Sequence, residues 1–309
     1  MSDEAVIRDR GYSGYDGPRT LGRAAYTLAA HTARAILART GPKRAVWIAA
    51  LAAIIAGVVI YVGRKVGGAG FGASYPIWLL TNPAGVVLPG LLIALTAAGG
   101  TIAEDQRSGA FSFYFARPLN PRDYLHGRLG GVFAAMLTTL ALPPTALALY
   151  RAVLCDNASD VLRALAIAVF VAVLSTLVAL AVSIYALMGG AVSASRGGAQ
   201  SFIAIVFVLP WMVAGIATKV LSVPWVSLIS LPHLVEALGT PVIIALGGAS
   251  ESGSFVEVVL DATEGRAGAA LPPMLAALAL FAIVGLGYVF VRARVETFGR
   301  AGGERGGGS

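Results

Sequence analysis

The chain has 309 residues, 57% of them apolar and only 13% charged, with 23 Lys and Arg against 16 Asp and Glu. Soluble domains carry about 25% charged residues, and the mean hydropathy here is +0.78, which excludes a pair of ordinary water-soluble domains and points to lipid as the solvent. The net charge of +7 does not mark a nucleic-acid binder, because the basic residues flank apolar runs. The single cysteine, Cys155, excludes an intrachain disulfide framework and a multi-cysteine metal site.

Residues 1–20 read as a polar, disordered cytoplasmic arm. Its Gly11-Tyr12-Ser13-Gly14 matches an intramembrane serine protease pattern, but it lies off any apolar span and is taken as a chance match. No continuous apolar run precedes Ala45, so no cleavable signal peptide is expected. Residues 21–44 carry a basic amphipathic pattern. Leu21, Ala25, Leu28, Ala29, Thr32, Ile36 and Leu37 fall near helical spacing, so a helix in the inner headgroup layer is expected, broken by Gly41-Pro42.

About 20 apolar residues cross a hydrocarbon core about 30 Å thick. By that ruler the spans fall at 45–62, within 77–103, at 129–150, 161–188, 201–221 and 271–291. Pro83 and Pro89 predict a kinked or non-helical outer part of span two, and Pro143-Pro144 lie near the far end of span three. Residues 223–248 are apolar but hold Pro224, Pro232 and Pro241 with His233 and Glu236. Two short re-entrant or interfacial helices fit them better than a full span.

With six spans and the N-terminus inside, only Arg64, Lys65, Arg151, Arg163, Lys219 and Arg266 of the 23 Lys and Arg fall on the outer side. A seventh span would place Arg292 and Arg294 outside, against that rule. The expected fold class is therefore an all-α integral membrane protein. It has six transmembrane helices over 45–292, an N-terminal amphipathic interfacial helix and a re-entrant outer segment between spans five and six. Residues 293–309 read as a flexible cytoplasmic tail, so both termini are expected inside the plasma membrane (the inner membrane of a two-membrane cell).

The most informative stretch follows span two, from Gly100 to Arg128. It opens with Glu104, Asp105 and Arg107 and continues through Gly109 into an aromatic short helix with Phe111, Phe113, Tyr114 and Phe115. Arg117-Pro118 ends that helix, and Asn120-Pro121-Arg122-Asp123-Tyr124 turns into span three. In Glu104, Arg107, Gly109, Arg117-Pro118 and Tyr124-Leu125-His126-Gly127-Arg128 the chain resembles the permease subunits of type-2 ABC exporters. It departs from them at Ala110-Phe111, where that family often has Thr-Leu, and in its more aromatic helix. The likeness extends to the six-span layout, the amphipathic first helix and the broken segment before the last span.

The resemblance implies a transport subunit that is not itself an enzyme. ATP and Mg would be held by a separate ABC ATPase in two copies, and cargo would pass between two permeases forming a homodimer or heterodimer among membrane lipids. No nucleic acid is implied. The chain has no phosphate-cradling Gly-x-x-x-x-Gly-Lys-Ser/Thr pattern. Residues expected to couple to the ATPase are Glu104, Asp105, Arg107, Phe113, Arg117, Arg122 and Tyr124. Thr96, Thr101 and Ser183 are candidates for the translocation path. Without the resemblance, the same charges and aromatics also read as surface anchors and an interfacial belt.

His233 and Glu236, three apart, form the outer-segment pair; His31 and His126 are expected across the membrane from them, so no metal site is expected. A secondary transporter or channel is the alternative function, although the carboxylates at membrane depth and inverted repeats of that class are not evident. An intramembrane enzyme lacks a nucleophile–base pair at depth.

Overall fold

A computed structural model describes residues 24–67, 83–115, 120–221, 223–246 and 271–304. All the elements among them are helical. Helix α1, Ala24–Ala38, is rich in Ala and has no Gly or Pro, a composition that favours helix. The chain breaks at Arg39, and α2 runs over Thr40–Gly67. The break expected at Gly41-Pro42 therefore lies two residues earlier. Pro42 falls in the first turn of α2, where its missing N–H removes no helical bond.

Span two comprises α3, Pro83–Ile93, a single wide π-helical turn, Ala94–Ala98, and α4, Gly100–Arg107. Pro89 lies inside α3 rather than ending it; residues 77–82 lie outside the described residues. The charged cluster of Glu104, Asp105 and Arg107 thus belongs to the end of the span's own helix rather than to a loop. Helix α5 follows at Ala110–Phe115.

The stretch expected as the third span is two helices, α6 at Pro121–Leu140 and α7 at Leu142–Val153, which meet at 40°. Pro143 and Pro144 sit in the first turn of α7, so they set the bend in mid-span rather than closing its far end. Helix α8, Ala158–Val192, has 35 residues, a length of about 52 Å at 1.5 Å per residue. Helix α9 spans Arg196–Leu221. A short 3₁₀ helix, Pro224–Ile229, leads to α10, Leu231–Ala245, too short to cross a bilayer. Helix α11 is Pro273–Glu304.

Among the described residues five helices are long and apolar enough to cross a membrane, and six if the bent pair α6–α7 forms one span. The outside of the bundle shows Trp47, Ile54, Val169, Ile205, Met212 and Leu286, each more than half exposed. Water does not tolerate such a continuous apolar exterior on a soluble protein; hydrocarbon does. Helix α8 is the central pillar, contacting α4, α6, α7, α9 and α11. Its buried face (Val178, Ala179, Val182, Ala186) meets Ile93, Ala94, Ala97 and Ile102 of span two.

Helix α1 lies along α6 through a seam of small residues. A Cβ on Gly127 would stand 2.8 Å from Leu28 Cδ2, and one on Gly131 only 2.5 Å from Thr32 Cβ. Those glycines let the two backbones approach closely. Thr32 and Ile36 are buried there, so the apolar face of α1 is occupied by protein. The short segment 224–245 is likewise packed, with Leu231, Leu234, Val235 and Ala237 in the main core.

Candidate functional site

Of the residues singled out from the sequence, Glu104, Asp105, Arg107, Arg122 and Tyr124 lie where α4, α5, α6, α1 and the end of α11 meet. Helix α4 ends at a left-handed glycine, Gly109, with φ of 68°. Ser108 N–H donates to Glu104 O at 3.0 Å and Gly109 N–H to Gln106 O at 3.3 Å, closing the C-terminus. Nothing lies within 4 Å of a Cβ at Gly109, so its backbone conformation, not crowding, requires glycine. The chain thus reverses and lays α5 against the start of α6. Pro121 opens α6 at the position where proline is favoured.

That reversal brings Asp105 opposite Tyr124 and Arg128. One carboxylate oxygen of Asp105 accepts from the Tyr124 hydroxyl and from Arg128 Nη2. Arg128 Nη1 donates to Thr32 Oγ1 at 3.0 Å, and its guanidinium lies 5.6 Å from the centre of the Tyr124 ring. The two charged side chains are only 10% and 11% exposed. Burying charges costs several kcal/mol per ion unless each is paired and hydrogen-bonded, so this arrangement holds three elements, α4, α6 and α1, in one geometry. Tyr124 and Arg128 are one helical turn apart, which is why one acidic group can engage both.

Aromatic rings extend the clamp. Phe111 of α5 packs edge-on against Tyr124 at 5.2 Å between centroids and lies 5.3 Å from Phe298 of α11. Tyr114 lies 5.6 Å from Tyr124. Beside this, Glu104 Oε2 accepts from Arg39 Nη2 at 2.8 Å across a partly exposed bridge. Gln106 Nε2 donates to Gly190 O at 2.9 Å, tying α4 to the end of α8.

The expected coupling residues therefore separate into two groups. Asp105 and Tyr124 are buried and hold the hairpin together, whereas Arg107 and Arg122 are exposed. Glu104 is half-buried on Arg39. Arg117 and the side chain of Phe113 lie outside the described residues.

The Thr96, Thr101 and Ser183 hydroxyls donate to carbonyls of their own helices, at Leu92, Ala98 and Ala179. His233 Nδ1 lies 2.8 Å from the hydroxyl of Ser230, the residue that precedes α10, and Glu236 is half-buried one turn along. No group of three or more His, Cys, Asp or Glu that could hold a metal occurs among the described residues.

Thr32, Arg39, Gln106, Arg128 and Phe298 complete the cluster without having been singled out as site residues. For Arg128 a signal was present: its spacing of four from Tyr124 places both on one face of α6. Thr32, Arg39 and Phe298 come from segments remote in the chain, and Gln106, between Asp105 and Arg107, carries no charge to mark it. No protein-family model matches the chain, and no curated protein matches it.

Proposed function

We propose that this chain is the permease subunit of an ATP-driven exporter, in which a separate ABC ATPase pushes on the hairpin of residues 104–128. One observation carries the reading. Helix α5 packs its rings on Tyr124 of α6 and Phe298 of α11, and Tyr124 itself belongs to the buried ion-pair cluster that joins α4, α6 and α1, while Arg107 and Arg122 stay exposed beside it. A short helix packed on several spans, with exposed cations at its flanks, is suited to receive a rigid-body thrust and spread it through the bundle. An interfacial aromatic belt needs no buried ion pair behind it.

In this reading the hairpin and both termini face the cytoplasm across the plasma membrane. Helix α1 sits at the inner surface with its exposed residues, Tyr26 among them, toward headgroups. Segment 224–245 enters and leaves on the outer side without crossing. Two permeases and two ATPases, with ATP and Mg on the latter, form the working unit, and cargo passes between the permeases.

The test is site-specific photo-crosslinking from position 122 in native membranes, with a photoreactive ATP analogue to label nucleotide hydrolases. Capture of a labelled hydrolase is expected, with Arg107→Ala plus Arg122→Ala lowering its cargo-stimulated ATP turnover. Absence of any labelled partner from both 107 and 122, or labelling of position 122 by a membrane-impermeant reagent from outside, overturns the reading.

A further inference from the structure

Span two is interrupted at Ala94–Ala98, before the helix α4 that leads into the hairpin. Gly99 N–H donates to Ala94 O, five residues back, at 2.8 Å, so Ala94–Ala98 forms one wide turn between two α-helical pieces. Such turns hold an extra residue, shift donors out of register with acceptors, and are common places for a helix to bend. In a low-dielectric interior the carbonyls they displace need outside donors.

Those donors come from the first turns of α9. Gln200 Nε2 donates to Leu95 O at 2.7 Å, and Arg196 Nη2 donates to Thr96 O. Packing is equally close: a Cβ on Gly99 would lie 2.4 Å from Ile203 Cδ1, and one on Gly41 would lie 2.6 Å from Thr96 Cβ. Below the turn, α4 belongs to the clamp of α1, α5 and α6; above it, α3 belongs to the spans. The wide turn thus separates the piece of span two that carries the clamp from the piece that does not, with α8 packed along both.

We propose that Ala94–Ala98 is a pivot in span two, and that Arg196 and Gln200 are the catch that holds it straight. Drawing the start of α9 away removes both donors and lets α4, with its hairpin, tilt against α3. This deepens the exporter reading by naming where hairpin movement passes into the spans, yet the pivot is tested with no ATPase present.

Gln200→Glu preserves side-chain shape but lacks the N–H donor; Arg196→Lys keeps charge and a donor. With the full chain in lipid nanodiscs, hydrogen–deuterium exchange in Gln200→Glu is expected to rise about tenfold across residues 95–101, a change equal to about 1.4 kcal/mol of local opening. Residues 124–140 should be unchanged and Arg196→Lys should be near wild type. In a Cys155→Ser background, nitroxides at positions 122 and 165 should gain a second distance population in Gln200→Glu.

Unchanged exchange at 95–101 overturns the proposal, as does a rise shared by the whole bundle. A local rise with a single unaltered distance also overturns it, since the bonds would then fasten the turn without governing any tilt.

Discussion

Spans one and two look alike as apolar runs but play opposite parts. In Thr40–Val62 only 22% of the most apolar stretch is buried within the protein, whereas in Val87–Arg107 the share is 72%. The more apolar helix is the more exposed one. In a bilayer, large apolar side chains such as Trp47, Leu51, Ile54 and Ile55 face lipid at no cost. The interior is instead made where small residues bring backbones together and polar groups are satisfied by neighbours. Span two has that composition: Ala94, Ala97, Ala98, Gly99, Gly100 and Ala103 on its path, and Asp105 at its end.

The largest break in this contrast should come from the buried charge. Asp105→Ala leaves Arg128 inside without a counter-ion, and a loss of about 3–5 kcal/mol is expected, read as thermal unfolding in detergent. Adding Arg128→Met should restore most of it, because the second change removes the stranded charge. Equal unfolding temperatures for wild type and Asp105→Ala would mean that the pair is not buried as described.

The same substitution placed on each span gives a sharper comparison. Gly99→Ala forces a methyl group against Ile203 and to 3.0 Å from Ala94 O, an overpacking expected to cost about 1–3 kcal/mol. Gly57→Ala meets Leu147 and Tyr150 only at 3.7 and 3.9 Å. It should be neutral or slightly favourable through helix propensity.

A smaller effect is expected at the Arg39–Glu104 bridge, whose side chains are 33% and 44% exposed. Arg39→Gln should lower stability by less than about 1 kcal/mol, and high salt should erase even that difference. The smallest belongs to the lipid face of span one. Ile54→Ala, at a position 63% exposed, should stay within about 0.5 kcal/mol of wild type. A loss of several kcal/mol there would show that this face is covered by protein rather than lipid.

Much of the architecture was legible in the chain because apolar run length is a local property. Of the six spans expected from hydropathy and proline placement, five are helices long and apolar enough to cross, the third is the bent pair α6–α7, and the segment between Pro224 and Ala245 holds only short helices. The edges were less legible. Helices continue past the apolar runs, so that Glu104 and Asp105 end span two, and α11 reaches Glu304. Hydrogen bonding along a helix does not stop where the lipid does. Pro143-Pro144 marked a disturbance in span three, but that it is a 40° bend between two helices rather than the span's far end is read only from the structure.

At the candidate site the charges and aromatics of 104–128 stood out by their types, yet their division of labour did not. Asp105 and Arg107 look equivalent in the sequence; one is buried in an ion pair and the other is exposed. The difference depends on which side of α4 faces α6, and that is set by the left-handed turn at Gly109 and by the glycine seam holding α1 against α6.

Sequence by itself determined that this chain dissolves in lipid as a set of helices, because each span's burial in hydrocarbon depends only on its own composition. It also marked 104–128 as the unusual polar segment. Only the tertiary structure decided which span forms the core, that Tyr124 and Arg128 hold Asp105 while Thr32 holds Arg128, and that Arg196 and Gln200 reach the wide turn of span two. Those pairings join residues up to about a hundred positions apart, and nothing short of the packed fold brings such groups within hydrogen-bonding distance.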